Sequence, residues 1–292
     1  MISTYGESLK DHIHPVTKRI HAQFTLGETR TGRLSSRAPN GQNYPSVDEF
    51  RELFIAPPGK KMIVLDLSQI EIRVGATLSK DKVMLKAFED GTDLHSLIVA
   101  TLSGRPIETV TKEQRRLGKI LTFSLQFGTG PTGLMKRAKA QGIELTFDQA
   151  QEAYDTYHSL YAGYSAYCTA QRASATKYGY TVTPFGKVRR LHTKEVYTKA
   201  INTPVQGGAA ECIMCALVLV FNRLISLGLL GRVSIAMTVH DEVMLIADDD
   251  VATESFNILK EGLLKGCLKV LPSIPIKDLS QGGIGNNWSE AK

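Results

Sequence analysis

Cysteine is scarce in this sequence, and neither sign of charge dominates it. Four cysteines in 292 residues are too few for the disulfide framework of a small secreted protein. The formal net charge of +6 is mild, so it permits an anionic partner without requiring one. Apolar residues make up 42% of the chain and charged residues 22%, which excludes an intrinsically disordered protein and is typical of a globular one.

Long hydrophobic runs are also missing. No stretch has the roughly 20 consecutive apolar residues of a transmembrane helix, and residues 1–18 lack the apolar core of a signal peptide. We therefore expect a cytoplasmic protein (in the host cytoplasm if it is viral) with no membrane contact. Cys212 and Cys215 have a C-x-x-C spacing, but they lie in an apolar helical run. We expect them to be buried small side chains rather than zinc ligands.

The order of the local patterns predicts an α+β fold with an antiparallel sheet. Apolar runs predict a buried strand at 62–67 and a hairpin at 234–247. The segment GYTVTPFGKVRR predicts another hairpin at 179–190, with its bend near Pro184 and Gly186. The remaining patterns predict short strands and turns at 22–45, helices starting near Gln69 and at 112–127, 148–172, 207–227 and 251–271, and a surface strand or coil in the tail from Leu279.

Three acidic residues stand at the ends of predicted strands. Asp66 ends the buried strand, and Asp241 and Glu242 lie at the turn of the 234–247 hairpin. A buried carboxylate is costly unless it is paired or binds a metal, and Mg²⁺ prefers carboxylate oxygens. If the fold brings these acids together, two Mg²⁺ ions about 4 Å apart would suit in-line phosphoryl chemistry. Taken singly, each acid is better explained as a solvated turn residue.

The predicted helix at 112–127 carries an unusual stripe. Positions four residues apart drift by only about 40° around an α-helix, so the side chains at these positions share one face: Arg115, Lys119, Phe123 and Phe127. Two cations followed by two aromatic rings suit a ligand with a polyanionic end and a flat end, such as a nucleoside triphosphate. The alternative is an amphipathic helix whose cations extend to solvent.

Seven motifs then occur in the order that is typical of one family. VLDLSQIEIR, RRLGKILTFSLQFG and TVHDEV resemble the first catalytic motif, the nucleotide-binding helix and the second catalytic motif of family A DNA polymerases, the bacterial polymerase I type. TGRLSSRAPNGQNYP, DLHSL, GYTVTPFGKVRR and INTPVQGGAAE resemble further segments of the same family. The resemblance runs from about residue 14 to Trp288.

The resemblance implies the right-hand polymerase fold. Its palm would consist of an antiparallel sheet with helices from residues 1–80 and 181–292, and its helical fingers of residues 81–180. Because TGRLSS begins at residue 31, the thumb and 3′–5′ exonuclease domains are expected to be absent. A companion chain carrying them is therefore an expected partner for an efficient grip on DNA, beside primer–template DNA and dNTPs.

The resemblance also implies the roles of individual residues. Asp66, Asp241 and the backbone carbonyl of Leu67 would bind two Mg²⁺ ions, Glu242 would support this site, and Lys119 would protonate the departing pyrophosphate. Glu71 would crowd the ribose 2′-hydroxyl and favour deoxynucleotides. The other residues expected to bind the dNTP are Gln69, His95, Arg115, Lys119, Phe123 and Phe127. Those expected to contact primer–template DNA are Arg33, Asn40, Gln42, Asn202, Gln206 and His240.

The expected function is template-directed addition of dNTPs to a primer 3′-hydroxyl. Two alternatives stay open at this point. A single-subunit RNA polymerase shares the two aspartate sites and the cationic helix, but Glu71 argues against it. A non-catalytic DNA-binding subunit descended from a polymerase has no need of Asp66, Asp241, Arg115 and Lys119, all of which are retained.

Overall fold

The computed structural model describes residues 5–292 and divides the chain into two compact units. The sheet unit contains the chain up to Ile70, Ala209–Pro272 and Asp278–Lys292, and the helical unit contains Glu71–Gly208 and Ser273–Lys277. Each unit carries a different set of the residues singled out above. The predicted palm and finger bounds at 80/81 and 180/181 stay a prediction.

A four-stranded antiparallel sheet forms the centre of the sheet unit, in the spatial order β6–β7–β3–β8. Its strands are β3 (Lys60–Leu67), β6 (Val233–Val239), β7 (Glu242–Asp248) and β8 (Ser280–Gly285). Alternate side chains of a strand point to opposite faces, and Met62 and Val64 pack in an aromatic cluster with Tyr44, Phe50 and Trp288. Helix α10 (Ala252–Val270), numbered here in chain order, also packs against β3. Apolar cover of this kind explains the uninterrupted apolar run of β3.

The tail after Asp278 begins with β8, which lies at the edge of this sheet and has mostly exposed or half-buried residues, so the prediction of a surface strand or coil is confirmed for this segment. Strand β8 pairs with β3 along its whole length, and Trp288 is only 1% exposed. Gly282 makes the close pairing possible, because a Cβ atom there would lie 2.1 Å from the carbonyl oxygen of Val64 and its φ is +137°. A tail rich in glycine and asparagine has no local pattern that indicates the burial of Trp288 after this strand.

The helical unit is built from long helices around a core that contains three fully buried tyrosines, Tyr157, Tyr161 and Tyr164. The sheet unit adds the short α1 (Asp48–Arg51). The following helices are α2 (Ile70–Ser79), α3 (Lys82–Asp90), α4 (Leu94–Ser103), α5 (Lys112–Gln126), α6 (Pro131–Ala140), α7 (Phe147–Leu160), α8 (Ala162–Tyr178) and α9 (Val196–Ser226).

Two helices, α7 and α8, replace the single helix predicted at 148–172. The helix is interrupted at Tyr161, where φ is −104° and ψ is 57°. The carboxylate of Asp81 accepts a hydrogen bond from the backbone N–H of Tyr164 at 3.0 Å, and it thereby satisfies a donor in the first turn of α8. The partner that stabilises the new helix start is 83 residues away, so no local pattern could predict the break.

Helix α9 begins eleven residues before the predicted start at 207, and it contains Pro204. A proline lacks the N–H that a helix interior normally uses, which makes this segment a poor helix by local criteria. The neighbouring Ile201 and Val205 are fully buried. Burial of these side chains in the helical unit therefore outweighs the unfavourable local preference.

The segment Thr193–Ser226, which contains α9, is long and apolar enough to cross a membrane by length and composition alone. The expectation that no segment would meet this criterion was therefore wrong. In its most apolar window, 44% is buried inside the protein, and core helices of globular proteins meet the same criterion. Cys212, Ala216 and Val220 of α9 lie against α10, where a Cβ atom at Gly266 would lie only 2.6 Å from the backbone nitrogen of Ala216.

The other predicted elements are present. The two hairpins pair as β4 (Tyr180–Val182) with β5 (Val188–Arg190) and as β6 with β7. A third short pair joins β1 (Gln23–Thr25) to β2 (Ser35–Arg37). The predicted helix at 112–127 agrees with α5 to within one residue. Cys212 is buried, as expected, whereas Cys215 is only half-buried.

Candidate active site

Sheet pairing brings the candidate carboxylates of the sheet unit together. Asp66, near the end of β3, lies directly opposite Glu242 at the start of β7. The backbone N–H of Leu67 donates to the carbonyl oxygen of Asp241 at 3.0 Å. Asp241 lies in the two-residue turn between β6 and β7, beside His240, whose φ is 53°. Glu242 belongs to the strand, so placing it in the turn was wrong.

Glu242 is held inside the sheet unit and is only 3% exposed. Its Oε1 accepts a hydrogen bond from Trp288 Nε1 at 2.6 Å, and its Oε2 accepts one from Lys292 Nζ. A buried carboxylate is stable when both oxygens are paired in this way. Glu242 is therefore fixed in place beside Asp66.

Cations from the protein lie against the two aspartates. Lys292 Nζ donates to Asp66 Oδ2 at 3.1 Å, and Arg33 approaches Asp241 Oδ1 at 3.9 Å. Asp66 and Asp241 line an open pocket of about 360 Å³ together with Gln42, His240 and Trp288. The pocket thus offers carboxylate oxygens that already attract positive charge.

The carboxylates of this pocket fit Mg²⁺ rather than a metal ion whose ligands must all come from the protein. Within residues 5–292, no group of three or more His, Cys, Asp and Glu side chains is close enough to hold a metal ion. Mg²⁺ is commonly bound by one or two carboxylates, and waters and substrate phosphates complete its shell. Asp66 and Asp241 supply that number of carboxylates, and the ammonium group of Lys292 shows that a cation can sit on Asp66.

The polar residues near this pocket are already used within the protein. Gln42 Nε2 donates to the carbonyl oxygen of Thr238 at 2.6 Å, and its Oε1 accepts from the N–H of His240 at 2.8 Å. The side chain of Gln42 therefore holds the hairpin turn in position. Asn40 accepts from the N–H of Gln42 at 3.1 Å and so caps a short 3₁₀ helix. A contact of Asn40, Gln42, Arg33 or His240 with DNA stays a prediction.

The predicted stripe is present on α5 in the helical unit. Arg115 and Lys119 are exposed, and Phe123 and Phe127 are half-buried. The helix begins with a capping box at Thr111 and ends at Gln126, so Phe127 is its C-cap. The exposed first half of the stripe is cationic and the second half is aromatic, which is the distribution that a phosphate-bearing aromatic ligand needs.

Arg115 is held in one orientation by Asp93. Its Nε and Nη2 donate to the two oxygens of this carboxylate, each at 2.9 Å. Asp93 also caps α4 by accepting from the N–H of Ser96. Burial tends to raise the pKa of Asp93, but the hydrogen bonds from Arg115 and Ser96 outweigh it and hold that pKa below its ordinary value. Asp93 thus stays ionised and keeps Arg115 in place.

His95 lies beneath this stripe and is only 3% exposed. Its ring centroid is 5.5 Å from that of Phe123, and its Nδ1 is buried without a hydrogen-bond partner in the described residues. Burial lowers the pKa of His95 to about 4. His95 is therefore neutral at pH 7, so it could meet a phosphate only as a hydrogen-bond donor and not as a cation.

The lowered pKa of His95 predicts a loss of stability in acid. Between about pH 6.5 and pH 4 the unfolded chain binds a proton at this residue and the folded chain does not, so the free energy of unfolding falls as the pH falls. The full effect of His95 is about 3 kcal/mol. Urea unfolding at several pH values should show that the free energy of unfolding depends less steeply on pH in this range for His95→Gln than for the unmodified chain. Equal slopes for the two proteins would contradict the assignment.

The remaining candidate residues take positions that the sequence did not indicate. In the sheet unit, Gln69 has a φ of 53° and a buried Oε1 without a partner in the described residues. In the helical unit, Glu71 is half-buried, and its carbonyl oxygen accepts from Gln126 Nε2 at 2.9 Å. Asn202 Nδ2 donates to the carbonyl oxygen of Phe127 at 3.3 Å. Gln206 is half-buried on α9.

Comparison with known proteins identifies the family. The model of DNA polymerase family A matches residues 1–290. The chain belongs to this family. DNA polymerase I from Pseudomonas aeruginosa is 37% identical to it over 304 residues, which cover 99% of this chain and 32% of that protein. The thermostable DNA polymerase I from Thermus aquaticus is 32% identical over 303 residues, covering 99% and 35%. The chain thus spans about a third of the length of these relatives.

A solved structure supports the same assignment. The polymerase domain of Pol1 from M. smegmatis, in complex with DNA primer-template and dNTP, matches with a TM-score of 0.87 and 29% identity. The match covers 99% of this chain and 52% of that one. The α+β fold with an antiparallel sheet, predicted from the order of the local helix and strand patterns, is therefore confirmed as that of a family A polymerase domain.

Three residues that hold candidate side chains in place within their own units were not singled out from the sequence. They are Lys292, which contacts Asp66, Trp288, which holds Glu242, and Asp93, which holds Arg115. Asp93 is the first residue of the DLHSL motif and could have been found there as a helix cap. Lys292 and Trp288 carried no signal, because their role depends on the pairing of β8 with β3.

Proposed function

We propose that this family A chain is a template-directed DNA polymerase. It adds dNTPs to a primer 3′-hydroxyl and releases pyrophosphate. One observation carries the proposal: sheet pairing sets Asp66 opposite Glu242 and hydrogen-bonds Leu67 to Asp241, which groups carboxylates that are 175 residues apart in the chain. Carboxylates grouped at one end of a sheet are the kind of ligands that Mg²⁺ needs.

Asp66 and Asp241 hold two Mg²⁺ ions, with the carbonyl group of Leu67 as a further ligand. When bound, the metal ions stabilise the charge that develops on the attacking and leaving oxygens. Glu242 takes the supporting role, since both of its oxygens are paired and it lies opposite Asp66. Because strand β3 positions Asp66 and the hydrogen-bonded turn after β6 positions Asp241, they need little reorganisation when the metal ions bind.

The stripe on α5 binds the dNTP. Arg115, oriented by Asp93, and Lys119 contact the triphosphate, and Lys119 supplies a proton to the departing pyrophosphate. His95, neutral and buried, donates a hydrogen bond, and its Nδ1 has no hydrogen-bond partner within residues 5–292. Phe123 packs on the sugar. The other residues proposed to contact the dNTP are Gln69, Glu71 and Phe127.

A further set of residues is proposed to bind DNA. The residues proposed to contact primer–template DNA near the new base pair are Arg33, Asn40, Gln42, Asn202, Gln206 and His240. Phosphate contacts should make the affinity for DNA fall as the salt concentration rises. A companion chain with a thumb and exonuclease, and a cytoplasmic location, stay predictions from the sequence.

Primer extension tests the proposal and both alternatives. The purified chain is incubated with a primed DNA template, Mg²⁺ and either dNTPs or rNTPs. We expect distributive extension with dNTPs and little with rNTPs. A preference for rNTPs would favour the RNA polymerase alternative. DNA binding without any extension would favour the non-catalytic subunit.

Glu71 should set the choice of sugar in this assay. A carboxylate that crowds the ribose 2′-hydroxyl disfavours rNTPs, so Glu71→Ala should lower the dNTP to rNTP preference at least about tenfold, equivalent to about 1.4 kcal/mol. Glu113→Ala, at an exposed position in the first turn of α5, provides the control. An unchanged preference in Glu71→Ala would remove this assignment.

A further inference from the structure

Lys292 is held by an ordered segment that follows β8. Within it, Asn286 N–H donates to Glu290 Oε2 at 2.8 Å and Asn287 Nδ2 donates to Glu290 Oε1 at 2.9 Å. Gly283 N–H donates to the carbonyl oxygen of Ala291 at 2.6 Å, and the Ala291 side chain is fully buried. The residue next to Lys292 is therefore fixed against the sheet.

The ammonium group of Lys292 meets two carboxylates of the candidate site. Nζ lies 3.1 Å from Asp66 Oδ2 and also forms an ion pair with Glu242 Oε2. The lysine side chain is 30% exposed, and that of Glu242 is 4% exposed. Because Trp288 already pairs the other oxygen of Glu242, Lys292 supplies the charge that this buried acid still needs.

We propose that Lys292 is a built-in cation that occupies Asp66 when no metal ion is bound and that competes with the divalent metal for this carboxylate. The proposal rests on the proposed function, in which Asp66 is a metal ligand. Lys292 is a positioning residue in this scheme, because it acts on the acids and not on the substrate.

The competition follows from the geometry. Asp66 and Glu242 are register partners on adjacent strands, so without a cation between them their like charges would repel. Lys292 removes this repulsion in the metal-free protein. A metal ion on Asp66 brings positive charge next to Nζ, so the ammonium group must leave Asp66 while Glu242 can keep it. The lysine thereby lowers the affinity for the free metal ion.

Trp288 provides a local reporter of metal binding. It is the one tryptophan in the sequence, and its indole Nε1 donates to Glu242. Mn²⁺, a paramagnetic quencher, is titrated into the full chain without DNA or nucleotide while the tryptophan emission is recorded. The variants are Lys292→Met, which removes the charge, and Lys292→Arg, which keeps it. Lys265→Met is the matched control, because Lys265 pairs with Glu261 on an exposed surface.

We expect Lys292→Met to bind Mn²⁺ about tenfold more tightly than the unmodified chain. The reason is that this variant lacks the ammonium group that competes with the metal ion for the partly screened carboxylate of Asp66. Lys292→Arg and Lys265→Met should bind it with unchanged affinity. A lysine with only a structural role would lower the melting temperature of Lys292→Met without tightening Mn²⁺ binding, and that result would overturn the proposal. So would weaker binding by Lys292→Met.

Asp66→Asn separates a failure of this proposal from a failure of the proposed function. If Asp66→Asn weakens Mn²⁺ binding and Lys292→Met leaves it unchanged, the metal site stands and the role of Lys292 is rejected. If Mn²⁺ binding does not depend on Asp66, the metal site itself is rejected, and the role of Lys292 with it.

Discussion

Replacing Asp241 with asparagine should lower the rate of primer extension about a thousandfold, which corresponds to about 4 kcal/mol of transition-state stabilisation. Asparagine has the size of aspartate, but it lacks the negative charge that holds a divalent cation. The N–H of Leu67 would still donate to the carbonyl oxygen of residue 241, so the turn should keep its shape. The measurement is single-nucleotide incorporation at saturating dNTP.

Controls for this experiment address folding and charge. Asp155→Asn changes an exposed acid on α7 that accepts hydrogen bonds from Gln151, and extension by this variant should be unchanged. Asp66→Asn should match Asp241→Asn, and the double variant should be little worse than either, because residues that act as a unit are not additive. Extension by Asp241→Asn within tenfold of the unmodified chain would contradict the assignment of this carboxylate as a metal ligand.

Gly118→Ala should unfold the helical unit or destabilise it by about 3 kcal/mol. Gly118 lies in α5 where it crosses α4, and a Cβ atom there would lie 1.9 Å from the carbonyl oxygen of His95 and 2.9 Å from Val99. An alanine in a helix interior is ordinarily about 1 kcal/mol more favourable than glycine. Contact with the carbonyl oxygen of His95 therefore makes alanine destabilising at a helix position where it would ordinarily be stabilising.

Gly130→Ala is the matched control, because no heavy atom lies within 4 Å of a Cβ atom built at Gly130 and its φ is −80°. Urea unfolding should show a loss of about 3 kcal/mol in the free energy of unfolding for Gly118→Ala. The loss should be smaller, about 0.5–1 kcal/mol, for Gly130→Ala, because Gly130 is the N-cap of α6 and alanine is a poorer N-cap than glycine. Equal losses would show that the close approach of α5 to His95 does not limit stability.

Both predictions depend on contacts between segments that are far apart in the chain. The sequence predicted local elements well but did not predict such contacts. The strand ending at Leu67, the helix from Lys112 and the β6–β7 hairpin were predicted because each depends on a local apolar period. The order of seven motifs predicted the family. The acids and cations were named as candidates from the sequence, but the sequence did not indicate what holds them.

The amino-acid sequence by itself determined the elements whose hydrogen bonds and apolar periods are local, and it determined the family of this protein. Tertiary structure alone decided the rest, because each of the remaining features needs a partner from a distant segment. Asp81 starts α8 from 83 residues away, burial of Ile201 and Val205 keeps Pro204 inside a helix, and the pairing of β8 with β3 buries Trp288. The same pairing carries Lys292 to Asp66, where charge and distance, and not any local pattern, decide its role.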